Sequence, residues 1–195
     1  MQGPAHFAGR ALSAVPDAVN AGLFLAAWLA PSIIGAHWIK TMMLVMLFEF
    51  ICIHSSAFMM GISEQKSMSR MKRSVAMVGL GMLYMGLAGA FSLIFEAWWP
   101  VFAFLWLLLG KIIALWSHRG ETQTYGQFVW AMSTGLFIAA VVLGSVIPMP
   151  ALMITDEVRA QAAIPGSGLW VDNPQQMLAS GVAYFAALVW VKLRY

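Results

Sequence analysis

The sequence predicts an all-α polytopic membrane protein, a bundle of six transmembrane helices with both termini in the cytoplasm. Three observations predict it. Of the 195 residues, 61% are hydrophobic and only 10% are charged, and mean hydropathy is +0.79. A soluble domain carries about 25% charged residues to solvate its surface, so the deficit means that most of this surface meets lipid. Second, the chain divides into six long apolar runs separated by short polar intervals. Third, Lys and Arg collect in alternate intervals, the pattern that orients helices in a membrane.

The elements follow in chain order. Residues 1–17 read as a cytoplasmic segment, mixed and helix-breaking through Pro16, without the apolar core of a secretory signal. Between Asp17 and Lys40 lie 22 residues without a formal charge; at 1.5 Å per residue they cross a hydrocarbon core of about 30 Å. The first span is therefore 18–37, and Pro31 inside it predicts a kink and a freed carbonyl one turn earlier. The second span, 41–61, follows after a very short turn. The third covers 74–95, the fourth 98–117, the fifth 128–147 and the sixth 174–191, making one transmembrane domain over 18–195. Pro148 and Pro150 close the fifth span. Asn173 before Pro174 is an N-cap and first-turn pair for the sixth. Trp38, Trp98, Trp99, Trp116 and Trp130 fall near span ends, where an amphipathic ring favours the headgroup layer.

Orientation rests on the basic residues. Lys66, Arg70, Lys72 and Arg73 lie between the second and third spans. Placing that interval inside puts Arg10, Arg119, Lys192 and Arg194 inside too, eight against Lys40 and Arg159 outside. The positive-inside rule then gives a multi-pass protein with both ends cytoplasmic, and the compact loops point to a bacterial inner membrane. The net charge of +3 is accounted for by these loops, so the expected environment is the lipid bilayer and not nucleic acid. The external segment 149–173 holds TDEVRAQAA, a short amphipathic helix with Thr155 as N-cap and two acids in its first turn. It is a plain connector or, functionally, a lid or docking surface.

Few residues carry chemistry. Glu49 is an acid at membrane depth in the second span, about 12 Å below the external face on the expected bounds. An ionised acid there costs several kcal/mol unless paired, hydrated or protonated, and such residues mark pathways or lock helix packing. Glu49, Cys52, Ile53 and Ser56 share one helix face and form a narrow polar stripe. His54 lies about 140° away from Glu49 around the helix, so the two cannot grip one ligand unaided. It is either a neutral histidine bonded across helices or a ligand for haem or metal, or a proton carrier. His37 and His118 fall at opposite membrane faces, so His54 is the only metal candidate and a weak one. Lys111, in the fourth span, either snorkels to the near headgroups or reaches toward Glu49 or His54. The single cysteine, Cys52, excludes an intramolecular disulfide and reads first as a small buried hydrophobe. Fifteen methionines include helically spaced Met42/Met46, Met68/Met71 and Met82/Met85; ordinary packing accounts for them better than Cu(I) binding does.

Small residues form two stripes. Gly79, Gly86 and Ala90 share a face of the third span, while Ala131, Gly135 and Ala139 repeat every four residues on the fifth. They let helix backbones approach closely, within the chain or against a partner protein. No GxSxG, HExxH, phosphate-binding glycine loop or CxxC occurs, which argues against an enzyme. The sequence therefore supports first a non-catalytic subunit or scaffold of a larger membrane complex, with a protein partner or a homo-oligomer. The alternative is a small ion, proton or solute transporter or channel using Glu49. A haem- or quinone-associated subunit using His54 comes third. No cofactor is named by any motif.

Overall fold

The computed structural model describes residues 4–116 and 123–194, with 4–8, 123–126 and 129 described by their backbone only. Among them there are nine helices and no strand: α1 (Pro4–Leu29), α2 (Pro31–Ile34), α3 (His37–Glu64), α4 (Arg70–Phe95), α5 (Trp99–Trp116), α6 (Gln123–Val146), α7 (Asp156–Ala162), α8 (Leu169–Asp172) and α9 (Pro174–Arg194). The fold is all-α, as its composition requires. Five helices are long and apolar enough to span a membrane, namely α1 from Gly9, α3, α4, α5 and α9. The sixth expected span is α6, whose apolar stretch Trp130–Val146 is about 26 Å long at 1.5 Å per residue, at the short end of spanning lengths.

The first span departs from expectation. A helix opens at Pro4 and runs through Pro16, where one missing N–H is tolerated within a long apolar helix. It then stops at Leu29 instead of kinking at Pro31. Ala30 is extended (φ −143°), because the residue before a proline is driven out of the α region. Pro31 opens the four-residue α2, and Gly35 closes it at φ +98° with its N–H on the Pro31 carbonyl; that left-handed backbone suits glycine. Residues 30–36 thus separate α1 from α3, and His37 begins the second long helix.

Other ends have local causes. Ser69 caps α4, its hydroxyl accepting from the Lys72 N–H at 3.3 Å, and Glu96 (φ 57°) closes that helix with its N–H on Ser92. Thr155 caps α7 in the same way, accepting from the Val158 N–H. Its hydroxyl also holds the Glu157 carboxyl below its ordinary value, with a backbone hydrogen bond assisting.

The helices sort into two compact units. The first holds residues up to 43 and from 133 onward; the second holds 44–132. Within the first, α9 is the most enclosed helix, burying Met177, Leu178, Gly181, Tyr184, Phe185 and Leu188. It packs along α1. Asp17 meets Lys192 at 2.6 Å and Phe24 meets Phe185 with ring centroids 5.5 Å apart, so the two helices run antiparallel. The Phe24 ring occupies the space that a side chain on Gly181 would fill. Gly144 of α6 admits the Ser180 hydroxyl in the same manner.

The second unit is built on Ile51 and Met59 of α3, Met77, Tyr84 and Ala88 of α4, and Phe104 and Leu108 of α5. Tyr84 lies 6.2 Å from Phe104 between ring centroids, and the Trp116 indole donates to the Ser74 hydroxyl at 3.0 Å, so α4 and α5 are antiparallel. A Cβ on Gly81 would come within 2.6 Å of Leu108, so the missing side chain makes room for that leucine.

Candidate functional site

The polar stripe on α3 is formed by helical spacing, with Glu49, Cys52 and Ser56 all half-buried beside the fully buried Ile51, Ser55 and Met59. Because α3 begins at His37, Glu49 lies about 18 Å along the helix by residue rise, against about 12 Å on the expected bounds. The Ser55 hydroxyl donates to the Cys52 carbonyl at 3.2 Å, a local bond that satisfies it within its own helix. The Trp130 indole N–H donates to the Ile53 carbonyl at 3.0 Å, so this ring ties α6 to mid-α3 backbone. Sequence had placed it among the interfacial rings.

Lys111 is half-buried on α5, the helix whose Phe104 and Leu108 share a core with Ile51 and Met59 of α3. Side chains lean toward the N-terminus of their helix. On α5 that direction leads from Lys111 away from the nearer end, Trp116. An acid, a thiol and a hydroxyl thus share one face of α3, and an ammonium lies on α5 of the same unit. Such a set can hold a proton or small cation, or lock two helices by charge.

His54 stands apart from this group. It is exposed, its Nδ1 lies 3.0 Å from the Phe50 carbonyl, and its ring lies against Phe50 with centroids 3.9 Å apart. A carbonyl only accepts, so Nδ1 is the donor in this contact. Phe50 and Phe58 flank it on the same exposed face. Among the described residues no three His, Cys, Asp or Glu side chains come close enough to hold a metal ion. His118 and Arg119 lie outside the described residues.

The two small-residue stripes face outward. Gly79, Gly86 and Ala90 on α4, and Ala131, Gly135 and Ala139 on α6, are all exposed, and a Cβ at Gly79, Gly86 or Gly135 would meet nothing within 4 Å. Close approach inside the chain uses Gly81, Gly144 and Gly181 instead. Of the paired methionines, Met42 and Met46 are buried, while Met71 and Met82 are exposed.

Sequence reasoning also missed the ion pair of Asp17 and Lys192. Asp17 is 7% exposed, and the Lys192 ammonium donates as well to the Ser13 carbonyl at 3.4 Å. Opposite charges at matching ends of the first and last spans were the available signal. Asp17 served only as a boundary mark. No protein-family model matches the chain, and no curated protein or solved structure is significantly similar to it.

Proposed function

We propose that this chain is a non-catalytic subunit or scaffold of a larger membrane complex. Its carrying observation is the outward placement of both small-residue stripes around glycines with open space. Glycine costs an exposed helix about 1 kcal/mol relative to alanine. Within a bilayer, small residues repay that cost only where another backbone comes close. Inside the chain that role belongs to other glycines, so the exposed faces fit helices of a partner protein or of further copies. The same reading has both termini in the cytoplasm, on the eight-to-two distribution of basic residues, and the chain in a bacterial inner membrane, on its compact loops.

Gly86→Leu and Gly135→Leu test it. Each fills open space, so the purified chain keeps its helicity and melting temperature while co-purification of the partner falls at least about ten-fold, the effect of some 1.4 kcal/mol at an interface. Unchanged co-purification in both variants removes the basis of the proposal.

A second reading, a small ion or proton transporter, is favoured by one observation: Glu49, an acid midway along the apolar helix α3, shares a helix face with Cys52 and Ser56. Under it, Glu49→Gln abolishes proton or cation flux in liposomes without lowering expression. Normal flux in that variant rejects the reading.

A further inference from the structure

His54 is a polar side chain on the outside of a long apolar helix. It is exposed, and it lies about 10 Å of helix rise before Gly61, the expected cytoplasmic end of the second span. A histidine at that depth is costly in lipid and marks a site where it meets a partner. Its hydrogen bond among the described residues runs back to its own helix, from Nδ1 to the Phe50 carbonyl, so it does not tie two helices of this chain together. A proton relay needs a second titratable group close by on the same face, and Glu49 lies about 140° round the helix. The ring itself is what the outer face offers. With the proton on Nδ1, the neutral imidazole carries its lone pair on Nε2.

Two contacts hold that ring, the Nδ1 bond at 3.0 Å and the Phe50 ring at 3.9 Å between centroids. An imidazole whose other nitrogen donates to a backbone carbonyl is the form in which histidine ligates metal. A bare metal ion needs several protein ligands, and among the described residues no three His, Cys, Asp or Glu gather. A haem brings its own equatorial nitrogens and takes one imidazole as an axial ligand. The surface around His54 suits such a flat, apolar group. Phe50, His54, Phe58 and Gly61 follow at steps of four, four and three residues, which keeps them on one face, and all are exposed. The two phenylalanines put an aromatic ring one turn to either side. A Cβ on Gly61 would meet nothing within 4 Å, so the face is low and open toward the expected cytoplasmic end.

We infer that the outer face of α3 binds a haem, with His54 Nε2 as axial ligand to the iron, Phe50 and Phe58 against the macrocycle, and Gly61 leaving room for its edge. An oxidised quinone fits less well, because its carbonyls only accept and Nε2 has no proton to give. These residues lie on α3, apart from the small-residue stripes of α4 and α6, so haem binding and partner contact fail independently.

The full chain in mild detergent is titrated with ferric haem, and the visible spectrum is recorded. Binding saturates, and the Soret band moves to the red of free haem in the same detergent. His54→Ala loses that band while helicity and melting temperature stay as in the wild type. Gly61→Leu fills the open part of the face and weakens binding roughly ten-fold or more, a readout that stands even where His54→Ala folds poorly. His37→Ala, an exposed histidine at the start of α3, has no effect. Absence of a saturable shift in the wild type overturns the inference. So does an unchanged band in His54→Ala, which would mean haem partitioned into detergent or lipid, an equal loss in His37→Ala, or unweakened binding in Gly61→Leu.

Discussion

Asp17 and Lys192 show what a single charged pair does in an apolar chain. The carboxylate is almost fully enclosed, and the ammonium 2.6 Å away keeps about a quarter of its surface. Removing one partner strands the other charge at low dielectric. The cost lies between the exposed-pair and fully buried limits, roughly 1–3 kcal/mol. Asp17→Asn therefore lowers the melting temperature in detergent, and adding Lys192→Met restores part of the loss. A melt indifferent to Asp17→Asn would make the pair ornamental. At this scale much of the chemistry was legible. Glu49, Cys52 and Ser56 form a stripe because helix geometry alone puts residues three and four apart on one face. The pairing of Asp17 with Lys192 was not legible, because it depends on which two helices are neighbours, and no local pattern encodes that.

At the scale of the element, the sequence located apolar runs well but the first helix poorly. The rule that proline kinks a spanning helix was applied to Pro31, whereas the stronger local effects were the exclusion of Ala30 from the α region and the left-handed Gly35. Together they end α1 and set α3 off as a separate helix. The small-residue stripes show a different limit. Spacing identifies a face but not what the face meets, and the glycines with close neighbours are Gly81, Gly144 and Gly181. Gly181→Leu must displace the Phe24 ring from the α1–α9 contact, an overpacking worth about 1–3 kcal/mol or more, and a lowered melting temperature in detergent reads it. Gly135→Leu, facing open space, leaves stability unchanged. Equal destabilisation by the two would mean that the exposed stripe packs within the chain after all.

For the whole molecule, lipid-facing composition and helix content agree with one another, and five helices have the length and apolarity to span. The antiparallel α1 and α9 bring Asp17 level with Lys192, which puts the last turn of α9 beside the middle of α1. A polar stripe lies on α3, whereas Gly79, Gly86 and Ala90 of α4 and Ala131, Gly135 and Ala139 of α6 are exposed. This balance is why the subunit reading leads and the transporter reading follows. Native mass spectrometry of the protein extracted gently from its own membrane addresses that choice most directly. The account predicts a mass above one chain that includes a second protein or further copies and falls to a single chain in Gly86→Leu or Gly135→Leu. A single bare chain from the native membrane, with no partner in either the wild type or the variants, would contradict it.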